Sequence, residues 1–154
     1  MVIADYEMRV PTGGAKFRNG DTLLARITPC LENGKTGFVQ FLANDTDMAS
    51  GSTEFIVMRS PRGSPYWVYC LARDESFRDH AIRSMVGSDG RQRVNTKLFD
   101  QYQVLKPPKP VFDAFDRMAM PIFQQVQALA RESQVLKQGR DALLPRLMSG
   151  ALAV

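Results

Sequence analysis

The sequence predicts an α/β (α+β) chain: a mixed β-sheet domain with short helices, followed by a long C-terminal coiled-coil-type helix. Three observations lead there. Segments 21–27, 36–42 and 52–59 read as strands, the last with period-two alternation and β-branched residues. Between 65 and 86 the apolar spacing becomes helical. Lys106-Pro107-Pro108-Lys109-Pro110 then disfavours helix and sheet alike, and beyond it an apolar stripe steps by threes and fours. The chain therefore divides into residues 1–107 and a helical region over 108–150.

Residues 1–19 carry little pattern beyond a Pro11-Thr12-Gly13-Gly14 turn. The first strand, Asp21–Ile27, sets Leu23, Ala25 and Ile27 against Thr22, Leu24 and Arg26, and Thr36–Leu42 is the second. Asn33-Gly34 signals a tight reversal between them, because both residues tolerate positive φ. Arg26, Thr28, Glu32, Asn33 and Lys35 then share a hairpin tip. Arg and Lys neutralise phosphates while Asn and Glu read adenine and cytosine edges, so the cluster suits nucleic acid. The same composition also suits a solvated tip.

Asn44–Gly51 is a turn-rich link, Ser52–Arg59 the third strand, and Pro61-Arg62-Gly63 the centre of a loop. Pro65 fits a helix first turn, where its missing N–H costs nothing. From there to Val86 the sequence supports two short helices or one broken helix, with Trp67, Cys70 and Leu71 on one face and Phe77, Ala81 and Met85 continuing it. Tyr66, Trp67, Tyr69 and Phe77 at this spacing belong to a core rather than to a base-stacking platform, and His80 to a surface or a cap. In Gly87-Ser88-Asp89-Gly90-Arg91-Gln92-Arg93-Val94 two glycines permit a tight loop, and Ser88, Arg91, Gln92 and Arg93 supply donors for phosphates and base edges. A solvated basic turn ending the preceding helix has the same composition. Tyr102–Leu105 reads as a short strand.

In the C-terminal region Phe112, Phe115, Ala119, Ile122, Val126, Leu129, Ser133 and Leu136 form a seam that Leu143 and Leu147 extend. Pro121 predicts a kink or a fresh helix start, and Gly139 is tolerated. Ile122, Val126, Leu129, Leu136, Leu143 and Leu147 are the expected contacts to a partner helix.

Four runs carry a resemblance. They are Gly20-Asp21 followed by Leu24-Ala25-Arg26-Ile27-Thr28-Pro29-Cys30-Leu31-Glu32-Asn33-Gly34-Lys35, then Ser52-Thr53-Glu54-Phe55, then Gly87 to Val94, and finally Arg140-Asp141-Ala142-Leu143-Leu144-Pro145-Arg146-Leu147-Met148-Ser149-Gly150. Together they resemble a target recognition domain and the helix that follows it in the specificity subunits of type I restriction-modification systems, over roughly residues 20–150. The Trp-containing strand and Gly-x-Thr-Pro-like turn that open such a domain are not seen, so the expectation is a truncated or half-subunit form with one recognition domain. The resemblance implies a non-catalytic subunit that selects a DNA sequence, holds the modification (methyltransferase) subunit and positions the restriction subunit. Full-length members have two recognition domains separated by two antiparallel helices. Double-stranded DNA, both subunits and either self-association or another specificity half-subunit are the implied partners.

A formal charge of +4 permits a polyanionic partner without requiring one. Two distant cysteines, Cys30 and Cys70, and one histidine argue against a zinc site or a disulfide framework, and favour buried, reduced thiols. No nucleophile elbow or phosphate-cradling motif is present, which leaves a hydrolase built on Cys30 and His80 without support. No cofactor or metal is expected. No stretch is apolar enough to span a bilayer and no signal peptide is recognisable, so a cytoplasmic location is expected. The alternative to DNA recognition is a protein-interaction remnant that docks through the helix alone.

Overall fold

The computed structural model describes residues 3, 6–8, 13–88 and 91–152. Pro11-Thr12 and Asp89-Gly90, parts of two expected turns, lie outside the described residues. The architecture is α+β. Its central sheet has β2 (Thr22–Ala25) between β3 (Thr36–Phe38) and β5 (Phe55–Met58), both antiparallel to it, with Leu23 opposite Gly37 and Val57. Two small antiparallel ribbons flank it: β1 (Ala15–Phe17) with β4 (Ala49–Gly51), and β6 (Met85–Val86) with β7 (Arg93–Val94).

β2 is covered on both faces. Leu24 packs with Leu31, Phe77, Ala81 and Val94 on the helical side, and Leu23 with Phe17 and Val39 on the other. Thr22, on the same face as Leu24, is also fully buried. Burying a leucine this completely is worth about 2–3 kcal/mol, so two opposed clusters make β2 the anchor of the domain. Just before it, the buried Asp21 carboxylate accepts two bonds from Arg59, each at 2.5 Å, and one from Arg18 N at 2.8 Å. A carboxylate out of water requires such pairing. At Gly51 the rings of Phe17 and Phe55 approach so closely that a Cβ would stand 3.0 and 2.9 Å from them.

Each strand read from the sequence is shorter than expected, and Tyr102–Leu105 forms no strand. Tyr102 instead packs its ring on Phe77, after a 3₁₀ turn over Thr96–Gln101. The span 65–86 contains two helices, α1 (Pro65–Arg73) and α2 (Glu75–Arg83). Ser64 caps α1 through Trp67 N, and Asp74 caps α2 through Phe77 N; the extended backbone of Asp74 breaks the helix between them. Val68 and Ala72 form the buried face of α1, with Leu71 half-buried beside them. His80 is half-buried, with Nε2 at 3.0 Å from Leu98 O. Cys30 is half-buried, but Cys70 is exposed on α1 rather than buried.

α3 (Lys109–Met148) is one helix of 40 residues. Pro121 neither ends it nor restarts it. Pro121 and Arg117 are both exposed, so the carbonyl deprived of its partner at Arg117 can be hydrated. The inward face carries Phe112, Asp116, Ala119, Phe123 and Gln127. Phe112 meets Trp67 edge-on, and Phe123 sits among Phe38, Tyr66 and Tyr69 with ring centroids 4.8–5.2 Å away. Ser64 Oγ donates to Asp116, while Gln40 Nε2 donates to Phe123 O at 3.1 Å and Gln127 Oε1 at 3.3 Å. The α1 aromatics thus bind the helix to the domain.

Candidate nucleic-acid interface

Residues 26–35, between β2 and β3, do not form a tight hairpin tip. Leu31 N bonds Ile27 O and Asn33 N bonds Pro29 O, so the segment makes one helical turn. Gly34, at φ +65°, then donates to Leu31 O, and Lys35 N donates to Cys30 O. This pattern is a helix C-terminal Schellman closure. Asn33-Gly34 therefore ends a helical turn, and the tight-reversal reading is corrected. The physical reason is Leu31: a helical turn carries its side chain into the core beside Leu24, which a two-residue reversal could not do.

Glu32, Asn33 and Lys35 remain exposed on this turn, and Thr28 lies at its start. The other basic run joins it directly. Val94 N donates to Arg26 O at 2.9 Å, Thr28 N to Gln92 O at 3.1 Å, and Gln92 N to Thr28 Oγ1 at 3.2 Å, while Ile27 and Arg93 form an antiparallel bridge. Two runs more than sixty residues apart in sequence thus become neighbours on one ladder. Arg91 and Ser88 are exposed on the approach, linked by Arg91 N to Ser88 O at 3.1 Å.

The cations on this ladder are not all free. Arg93 Nε donates to both Glu54 carboxylate oxygens, at 2.9 and 3.1 Å, and its Nη2 to one of them at 2.7 Å. The hydrogen bond from Arg93 holds the Glu54 carboxyl below its ordinary range, aided by the charges of Arg93 and Arg26. The side-on grip leaves the outer edge of the Arg93 guanidinium open, the edge that arginine presents to guanine. Arg26 sends Nη2 towards Val94 O at 3.4 Å, and its Nε is buried without a partner. Glu54 was not among the residues expected here. Its position follows from strand register: Ala25 faces Phe55, so Arg26 N reaches Glu54 O at 3.0 Å.

No family model matches the chain. Curated relatives do. Over 89 residues it is 30% identical to the MjaIX type I restriction enzyme specificity subunit of Methanocaldococcus jannaschii, covering 58% of this chain and 20% of that protein. Over 101 residues it is 34% identical to the EcoEI and EcoAI type I specificity subunits of Escherichia coli, covering 64% of this chain and 17% of each of those proteins. The chain is related to type I restriction enzyme specificity subunits. It spans about a fifth of the length of these curated relatives.

Among the described residues, no group of three or more His, Cys, Asp or Glu side chains could hold a metal ion. No helix among them is long and apolar enough to cross a membrane. Of the six expected partner contacts, Ile122, Val126, Leu129, Leu136, Leu143 and Leu147, none is used inside the chain: they are 42–68% exposed. Phe123, one residue from the expected seam, makes the internal contact instead.

Proposed function

We propose that the chain is a DNA-sequence recognition module of a type I restriction-modification system, working as a specificity half-subunit without catalytic activity of its own. The observation that carries this reading is the ladder between 26–28 and 92–94. It places Arg26, Thr28, Gln92 and Arg93 together, with Arg91 exposed next to Gln92 and Lys35 exposed across from Ala25. Amides, a hydroxyl and guanidiniums on one stiff edge can hold phosphates and read base edges at once. Similarity to the three specificity subunits supports the same reading.

The exposed residues of α3 extend the proposal to partners. A stripe from Ile122 to Leu147 in contact with water is matched by a second apolar helix, supplied by another copy of this chain or by another specificity half-subunit. The modification subunit adds phosphate contacts, and the restriction subunit is the further partner of the complex. A net charge of +4 and one short ladder make a small interface, whereas even single DNA-binding modules bury about 600 Å² or more. The proposed site of action is the cytoplasm.

The test is anisotropy titration against a randomised duplex pool, with and without the modification subunit, followed by sequencing of the bound fraction. The reading predicts an enriched sequence in the presence of that subunit. Helix-mediated assembly with no enriched sequence would contradict it and favour a module that only binds protein.

A further inference from the structure

Arg73 ends α1 and Arg78 lies on α2, yet both guanidiniums converge on the closing end of the 28–34 turn. Arg73 Nη1 donates to Gly34 O at 2.7 Å, and Arg78 Nη2 donates to Glu32 O at 2.9 Å. A Cβ on Gly34 would stand 3.3 Å from Arg73 Nη1 and 3.4 Å from Arg78 Cζ, so the two cations flank one point in space. Among the described residues neither is ion-paired to a carboxylate. Their carbonyl bonds fix position without neutralising charge, and two like charges held together repel until an anion joins them.

We propose that Arg73 and Arg78 form a clamp for one backbone phosphate of duplex DNA, beside the 26–35 turn. This rests on the DNA-recognition reading above and adds to it a contact that positions the duplex rather than reading its sequence. Guanidiniums suit the task because their forked N–H donors match two phosphate oxygens at once, and each arginine here spends one of its five donors on the carbonyl that holds it. Lys35, exposed one residue beyond Gly34, continues the positive edge. The clamp also explains why a turn this short is gripped from two helices: the same bonds that end the turn aim the cations.

The experiment compares the wild-type chain with an Arg73→Gln/Arg78→Gln double variant, each with the modification subunit, titrated against one duplex between about 50 and 200 mM salt. Glutamine keeps a donor for the carbonyls but removes the charge. The slope of log affinity against log salt becomes shallower by about 0.9, the value for one phosphate, with the preferred sequence unchanged. An unchanged slope overturns the clamp. Arg91→Ala run in parallel separates the two levels of the proposal: if it alone flattens the slope, DNA recognition stands and the clamp falls, and if the wild type shows no duplex binding, both fall. A second measurement does not depend on the variant folding. Arg78 Nε is buried, so its N–H exchanges slowly and gives its own ¹⁵N resonance. That resonance shifts on addition of duplex if the clamp closes on phosphate, and a stationary resonance in a saturated complex overturns it.

Discussion

The two halves of α3 carry similar apolar spacing and meet opposite environments. Between Phe112 and Gln127 the helix presents Phe112, Asp116, Ala119, Phe123 and Gln127 to the domain and is held by rings and hydrogen bonds. From Arg131 to Met148 every residue is exposed, including Val135, Leu136, Leu143, Leu144 and Leu147. Two stripes therefore run along one helix. The inward stripe is built from aromatic and polar side chains that match a specific surface, with Gln40 and Ser64 supplying fixed donors. The outward stripe is aliphatic, with the spacing that suits another helix. One helix can in this way pack on the β-sheet domain and still offer a face to a second helix, without either contact competing for the other.

The largest effect expected from breaking this division is on assembly. Val126→Asp with Leu129→Asp places charge in the outward stripe, at a cost of several kcal/mol to any paired state. Sedimentation velocity checks it: the wild type runs as a dimer at high concentration and the variant as a monomer, while thermal unfolding of the monomer is unaffected. Next, Phe123→Ala empties the centre of the aromatic cluster. It costs about 2–3 kcal/mol in urea unfolding, below the full range because Phe123 is half-buried. Leu136→Ala on the exposed half changes monomer stability by less than about 0.5 kcal/mol. Equal effects at the two positions would dissolve the distinction. Gln40→Ala removes the donor to Phe123 O and Gln127 and costs about 1 kcal/mol, again by urea unfolding.

A control confined to the domain lies at Asp74. Ser76 Oγ and Phe77 N hold the Asp74 carboxyl below the ordinary aspartate range. A depressed carboxyl contributes stability above its unfolded pKa of about 3.9 and loses it as pH falls through the lower folded value. The difference in thermal midpoint between wild type and Asp74→Ala is therefore constant near neutrality and shrinks in strong acid. The outward stripe is untouched, so dimerisation of Asp74→Ala matches wild type throughout the neutral range.

Elements with a long, repeated local signal were legible in the sequence. β2, β3 and β5 stand within the segments read as strands, and Pro65 marks the start of the first short helix, whereas the caps at Ser64 and Asp74 are seen only in the structure. β1, β4, β6 and β7, of two or three residues each, lie in segments too short to show a period. The two basic runs stood out in the sequence, but their pairing did not, because Ile27 and Arg93 meet only through tertiary structure. Asn33-Gly34 misled for a related reason. Positive φ serves a helix end as well as a hairpin, and the burial of Leu31 decides between them. In α3 the apolar residues suggested one seam, where Phe123 and Ile122, adjacent in sequence, belong to different stripes. Glu54, Arg73 and Arg78 carry no local mark of their own, since charged residues on strands and helices are ordinarily solvated.

Hydrogen–deuterium exchange across the whole chain, measured free, with the modification subunit, and with that subunit plus its selected duplex, tests the division of labour most directly. The account predicts slowed exchange at 26–35 and 91–94 only when duplex is present, and slowed exchange at 131–148 through assembly whether or not duplex is present. Duplex-dependent protection confined to 131–148, with the 26–28 and 92–94 ladder unchanged, would contradict it.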